Sequence, residues 1–230
     1  MRNYKEARAV IFSSQRQQAI SGWLLENNPG AFADNLKLQK YLFFYEMSSY
    51  MENPEEAELD HLRGYEKGPV FSNVYGDYRH DYFVFEDASR KSFTEHRKLV
   101  NLDFAKHASF LVSIMNDAEL SAFTHKFNVW YAKKDRINSD EREVSLDKMD
   151  INSNDKELLD SMYEVYDTKL IDDSVVIPKG LVKFILSKED SSNLSPEQEG
   201  LLEQIAENHA EDLENPVYVD ISDNGALEID

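Results

Sequence analysis

Asp34-Asn35-Leu36-Lys37-Leu38-Gln39-Lys40-Tyr41-Leu42-Phe43-Phe44-Tyr45-Glu46-Met47-Ser48-Ser49-Tyr50-Met51 is the stretch that decides the fold class. Asp34 or Asn35 caps a helix over Leu36 to Met51, because a short polar side chain there accepts from the otherwise unpaired N–H groups of a first turn. Leu38, Tyr41, Leu42, Tyr45 and Ser49 fall on one face at helical spacing, and Phe43, Phe44, Met47 and Met51 widen that face. A helix apolar around so much of its circumference belongs in the centre of a protein, so the chain is expected to be mostly helical and built around this segment.

Working outward, residues 5 to 27 show helical spacing with Ala9, Phe12, Ile20, Trp23 and Leu24 as inward positions, and Asn27-Asn28-Pro29-Gly30 as the stop. On the other side, Leu59 to Tyr65 reads as a connector. Gly68-Pro69 reads as a helix start, since glycine relaxes the backbone and proline fixes the dihedral of a first turn. Val70, Phe71, Val74, Tyr75 and Tyr78 then form the apolar positions of that helix. Tyr82 to Phe85 is too short to separate a strand from a buried irregular segment.

Asp103 to Met115 is helical in pattern. Asn116 or Asp117 caps a further helix running through Trp130 and Tyr131, and 134 to 154 reads as polar loop. Asp155 to Tyr166 restores helical spacing, and Pro178 opens a short apolar segment from Leu181 to Leu186. Ser195-Pro196-Glu197-Gln198 is a cap, a first-turn proline and acidic first-turn residues, so a helix is expected from there to about Glu211. Val217 to Ile221 fits an edge strand or a peptide that orders on contact. The expected architecture is a multi-helix domain over 1–187 with a minor β element, and an acidic helix and tail over 188–230.

Composition narrows the chemistry. The 230 residues are 41% apolar and include 13 Phe and 12 Tyr, enough to fill a core with large rings. Without cysteine there are no disulfides, thiolate nucleophiles or Cys-based metal sites. No window approaches the length of a membrane-spanning helix, and the amino terminus carries no apolar stretch of signal-peptide length, so a cytoplasmic, membrane-free protein is expected. The formal charge is −19, and the stretch from Glu189 to Asp230 holds no Lys or Arg. Such a field disfavours phosphate backbones and can steer a basic partner, while also keeping a protein soluble.

Two clusters carry a resemblance. Leu36-Lys37-Leu38-Gln39-Lys40-Tyr41-Leu42-Phe43-Phe44, followed by Tyr65-Glu66-Lys67-Gly68-Pro69-Val70 and Val74-Tyr75, resembles the Lys-Leu-Gln-Lys-Leu helix and glycine-proline segment of the Panacea family, the antitoxin SocA-like domain. Where that family commonly has tryptophan three residues before the glycine, this chain has Tyr65. Glu119-Leu120-Ser121-Ala122-Phe123-Thr124-His125, with Trp130 five residues on, resembles the family's Leu-Ser-x-Leu-Thr-His segment and downstream tryptophan. The resemblance spans roughly residues 20 to 135 and leaves the acidic segment after 188 unexplained. It implies a helical domain of toxin–antitoxin pairs and prophages or other mobile elements, which neutralises a cognate toxin by contact. One branch resembles an adaptor that delivers its toxin to a cellular protease. It implies no catalytic set, metal or cofactor.

The candidate partner-binding residues are therefore Lys37, Lys40, Phe44, Tyr65, Tyr75 and His125, and the candidate structural motif is Gly68, Pro69, Thr124 and Trp130. Lys37 and Lys40 read either as a basic patch beside a groove or as solvent-edge residues whose stems cover apolar neighbours. Tyr65 reads as interface or core. Gly68 and Pro69 read mainly as architecture. His125 and Thr124 read as a hydrogen-bonded helix junction or a recognition contact, since acid–base catalysis also needs a nucleophile or carboxylate within reach. His61, His80, His96, His107 and His209 are dispersed, with no metal-ligand spacing and no phosphate or dinucleotide loop alongside them.

The expected function is non-enzymatic protein binding: an antitoxin facing a toxin. The alternatives are an acidic nucleic-acid mimic that inhibits a basic enzyme, a proteolytic adaptor, and an enzyme with a His125-centred pocket. A homo-oligomer is a further partner, and direct nucleic-acid binding is not expected.

Overall fold

The computed structural model describes residues 10–139, 141, 143–222 and 224–229. Its α-helices and strands follow in chain order as α1 (Gln15–Asn27), α2 (Pro29–Phe32), α3 (Asn35–Glu52), β1 (Leu62–Tyr65), β2 (Gly68–Phe71), α4 (Ser72–His80), α5 (Tyr82–Glu95), α6 (Leu102–Ile114), α7 (Asp117–Thr124), α8 (Asn128–Tyr131), α9 (Lys134–Asn138), β3 (Val144–Ser145), α10 (Ser153–Val165), α11 (Thr168–Asp173), β4 (Ser174–Lys179), β5 (Val182–Ser187), α12 (Lys188–Asn193), α13 (Pro196–His209), β6 (Val217–Ile221) and β7 (Leu227–Ile229). The chain is mostly helical, with a three-stranded sheet ordered β2-β1-β3 and a four-stranded sheet ordered β4-β5-β6-β7.

Helix α3 is the centre, as its composition requires. Asp34 accepts from the Leu36 and Lys37 N–H groups, and every residue from Leu38 to Ser49 is buried. Phe43 and Phe44 pack on Phe123 and Phe127, with Phe43 edge-on to Phe127 at 5.1 Å and Phe44 tilted on Phe123 at 5.8 Å. Each such pair adds about 0.5–1.5 kcal/mol beyond the burial itself. Tyr41 donates to the Ile20 carbonyl and Tyr45 accepts from the Asn101 N–H, so the ring hydroxyls fasten α3 to its neighbours.

Helix α1 starts at a capping box between Ser14 and Gln17. It runs closely against α5 because Gly22 lacks a side chain. A Cβ there would overlap the Ser89 carbonyl oxygen and come within 2.7 Å of Phe93 Cβ. Ile20, Trp23 and Leu24 are buried as expected, but Phe12 is exposed, since α1 begins only at Gln15. The expectation for Ala9 lies outside the described residues.

Several elements differ from the sequence reading. Tyr82 to Phe85 is the first turn of α5, in which Phe85 is buried on the same face as Ser89 and Ser92 while Phe83 is exposed. Pro69 lies within β2, and the helix begins at Ser72. Leu62 to Phe71 is a hairpin in which Leu62 faces Phe71 and Tyr65 faces Gly68. The predicted helix from 116 to 131 breaks at His125–Phe127, and 134–154 contains α9 and β3, with β3 pairing on β1. The short apolar segment to Leu186, left without an element type by the sequence, is a strand: β4 and β5 join through Gly180-Leu181, with Gly180 at a φ of +58°.

Strand β5 buries both faces. Val182, Phe184 and Leu186 pack under α13 with Val217 and Val219, and Ile185 joins the main core. Val217 to Ile221 is an internal strand rather than an edge, parallel to β5 and antiparallel to β7. Strand β7 sets Ile229 opposite Val219 and Leu227 opposite Ile221. The four-stranded sheet thus draws strands from both sides of residue 188. Asn215 fastens the later segment to the earlier one, donating to the Glu119 carboxylate at 2.9 Å and accepting from the Lys183 N–H at 2.7 Å. Ser195 and Gln198 form the capping box of α13, in agreement with its sequence signature.

The close approach at Gly22 gives a direct test. Gly22→Ala should destabilise the protein by about 3 kcal/mol, the upper end of the usual cost of overpacking. Urea denaturation measures it, and a loss below about 0.5 kcal/mol would contradict the packing of α1 on α5.

Candidate functional site

The two motif clusters meet at the turn of the β1–β2 hairpin, where Tyr65 and Trp130, 65 residues apart in sequence, are hydrogen-bonded. Lys40 projects from α3 beneath that turn and is only 1% exposed. Its Nζ donates to the Lys67 carbonyl at 2.5 Å and to the Pro69 carbonyl at 3.2 Å. Between those carbonyls is Gly68, at a φ of +98°. A Cβ on Gly68 would run into Lys40 Nζ and lie 2.5 Å from Thr124 Oγ1, so both the backbone conformation and the space require glycine.

The second cluster closes the other side. Thr124 is buried and turns its hydroxyl back to the Leu120 carbonyl at 2.9 Å, at the end of α7. Trp130 Nε1 donates to the Tyr65 carbonyl at 3.1 Å, and the His125 ring stacks on Trp130 at 3.7 Å. The chain can return in this way because α7 stops at Thr124 and α8 restarts at Asn128, where the Asn128 N–H donates to the buried Asp155 carboxylate.

A cavity of about 470 Å³ opens beside the hairpin, between it and α3. Leu36, Gln39, Lys40, Tyr65, Val70 and Tyr75 line it. Gln39 Oε1 accepts from the Phe71 N–H at 2.8 Å, leaving its Nε2 buried and without a partner among the described residues. Asn35, also at this cavity, has a buried Oδ1 without a partner. Glu66 and Lys67 are exposed on the hairpin turn.

The structure therefore joins Lys40, Tyr65 and Tyr75 at one cavity, supported by Gly68, Pro69, Thr124 and Trp130. Lys40 is not at the solvent edge, because the turn carbonyls supply its hydrogen bonds. Lys37 parts from it and lines a separate cavity of about 490 Å³ with Trp23, Lys106 and Pro178. Phe44 is 1% exposed and belongs to the aromatic core, so it is not a surface contact. His125 borders another recess with Lys126 and Lys134, and its Nε2 has no partner among the described residues. Gln39 and Asn35 are absent from the sequence-derived candidates, although a glutamine on a helix apolar nearly all round was a signal of a buried polar contact.

Electrostatics follow from burial. Desolvation pushes the Lys40 ammonium down to about 7. His125 is also lowered, first by burial and then by the Lys40 ammonium. Burial raises the Tyr65 phenol. Elsewhere, Arg16 and the fully buried Glu46 form an ion pair at 3.2 Å, to which the Glu58 N–H also donates, and this satisfied pair ties α1 to α3. Among the described residues, no three His, Asp or Glu side chains are grouped to hold a metal ion, and no helix is long and apolar enough to cross a membrane. Comparison with family models, curated proteins and solved structures found no match to this chain.

Lys40 makes stability depend on pH. Its folded value lies near 7 against an ordinary 10.5, so between those limits the unfolded chain holds a proton that the folded chain releases. Stability contributed at this position therefore rises with pH across that window, by at most about 5 kcal/mol. Urea denaturation of the wild type and Lys40→Met at about pH 7 and about pH 10 should show the difference moving in favour of the wild type at the higher pH. Parallel pH dependences would contradict the burial of this ammonium.

Proposed function

We propose that this chain is a cytoplasmic protein-binding module of the Panacea, antitoxin-like kind, which holds a cognate toxin at the cavity between α3 and the β1–β2 hairpin. The observation that carries this reading is the meeting of the two resembling clusters at one hairpin turn, beside which the cavity opens. Lys40 of the first lies under Gly68, and Thr124 and Trp130 of the second close on the same turn. Partly exposed Tyr65 and Tyr75 flank the opening. A recess with ring-bearing walls and a polar floor suits the capture of a projecting partner side chain, where water is excluded and a few contacts dominate affinity. Neutralisation follows when the bound module covers the toxin's working surface.

A second reading draws on a separate observation. Glu197, Glu199, Glu203 and Glu207 are exposed on α13 while Leu202 and Ala206 face the sheet, which presents an acidic helix face to a basic partner. That face suits steering of such a partner or mimicry of nucleic acid. Delivery of a held toxin to a protease is compatible with the same cavity.

Co-expression with the product of a neighbouring toxin gene tests the lead reading. The complex should co-purify and growth should recover. Tyr65→Ala combined with Tyr75→Ala should weaken capture at least about tenfold, which corresponds to about 1.4 kcal/mol, with an unchanged circular dichroism spectrum. Capture unaffected by that pair, but lost in salt-dependent fashion on reversing the α13 glutamates, would transfer the function to the acidic face.

A further inference from the structure

Lys40 is a buried amine whose charged form has no counter-ion among the described residues. Among the described residues no carboxylate lies within ion-pair distance of Nζ, and its acceptors are the two uncharged carbonyls of the hairpin turn. An ammonium has three N–H donors, so one remains unassigned. A buried charge without an opposite charge is costly, so such a group either gives up its proton more readily or gains a paired anion.

Beside it, Gln39 is 2% exposed. The Phe71 N–H fixes the sense of its amide by occupying Oε1, so the unpartnered atom is a donor, the Nε2 amide group. Both side chains line the same cavity of about 470 Å³. Among the described residues no hydrogen bond fixes the sense of the Asn35 amide at that cavity, so it can turn either its N–H or its carbonyl to a ligand. Resting on the protein-binding reading above, we infer that this cavity is a carboxylate subsite, receiving a partner's acidic side chain or chain terminus on Lys40 Nζ and Gln39 Nε2.

The chemistry selects among ligands. A cation would meet the Lys40 ammonium, and a neutral amide would leave that ammonium without an opposite charge. A carboxylate offers two oxygens to two separate donors and one negative charge to one buried positive charge. Apolar Leu36 and Val70 and the Tyr65 and Tyr75 rings surround the remainder of such a side chain. The titratable groups facing Lys40 from the packed elements are His125 at the end of α7, whose proton affinity burial lowers, and Glu66 and Lys67 on the turn, the last two of opposite sign. Most of the overall charge of −19 lies in the stretch from Glu189 to Asp230, and its field is screened beyond about 8 Å at physiological ionic strength, so the local cation governs the subsite. The depressed Lys40 value agrees with a site that gains its counter-ion on binding.

Sodium acetate, matched against acetamide at constant ionic strength, tests this in the full chain carrying 13C-labelled lysine. Acetate should shift the Lys40 Cε resonance saturably and raise its titration midpoint by about one pH unit or more, a tenfold change in proton affinity, and acetamide should do neither. Gln39→Glu keeps the acceptor for the Phe71 N–H and supplies a carboxylate from within. It should raise the Lys40 midpoint without acetate and weaken the acetate response at least about tenfold. Two N-acetylated peptides separate the sources: one with an internal glutamate and an amidated end, the other apolar with a free end. The one that shifts Lys40 at lower concentration identifies the anion, and a failure of both to bind more tightly than acetate overturns the partner assignment. Equal responses to acetate and acetamide, or an acetate response unchanged in Gln39→Glu, overturn the subsite itself. If acetate fails while Tyr65→Ala with Tyr75→Ala still weakens toxin capture, the binding function stands and the carboxylate falls. If acetate binds but that pair leaves capture intact, the subsite stands and the binding assignment falls.

Discussion

A buried ammonium bonded to the carbonyls on either side of a glycine is the constraint on which the rest of this site depends. Lys40 reaches the Lys67 and Pro69 carbonyls only because Gly68 has no side chain and adopts a positive φ. The hydrogen bonds lower the cost of removing the charge from water, but they leave it without an anion among the described residues. Helix α3 can hold this group in place because its rings are locked into the core on nearly every side. The rigid centre of the fold thus also carries a buried charge that its own surroundings do not neutralise.

The hairpin is held from both sides. Lys40 fixes its turn from α3, and Trp130 fixes the Tyr65 carbonyl from α8. That second contact relies on the break between α7 and α8, which lets His125 and Trp130 stack instead of continuing along one helix. The cavity is consequently bordered by secondary structure rather than by long loops, which suits a preformed recognition surface. The acidic segment contributes through a different part of the molecule, since α13 covers the four-stranded sheet and Asn215 anchors it to Glu119.

The central helix and α13 were legible because their caps and apolar spacing agree: Asp34 before α3, and Ser195-Pro196 with Gln198 before α13. The hairpin was not. Its strands are four residues each, too short for alternation to stand out, and Gly68-Pro69 carries the same signal as a helix start. Tyr82-Phe83-Val84-Phe85 has strand-like composition, yet tertiary packing needs only Phe85 inward and places the segment in α5. Within the site, Tyr65, Tyr75 and Lys40 could be singled out from sequence, but the burial of Lys40 could not. A lysine is expected in solvent, and its acceptors come from 27 and 29 residues further along the chain. Gln39 was obscured for the same reason, since its partner is the backbone of Phe71.

The central claim is that Lys40 and Trp130 act on one structural unit, the hairpin turn, from opposite sides. A double-mutant cycle of Lys40→Met and Trp130→Phe, read by urea denaturation at a fixed pH, measures this directly. The account predicts a coupling energy of about 1 kcal/mol or more, because each substitution loosens the support used by the other. Effects that add to within about 0.3 kcal/mol would mean that the two contacts are independent, and would contradict a single platform.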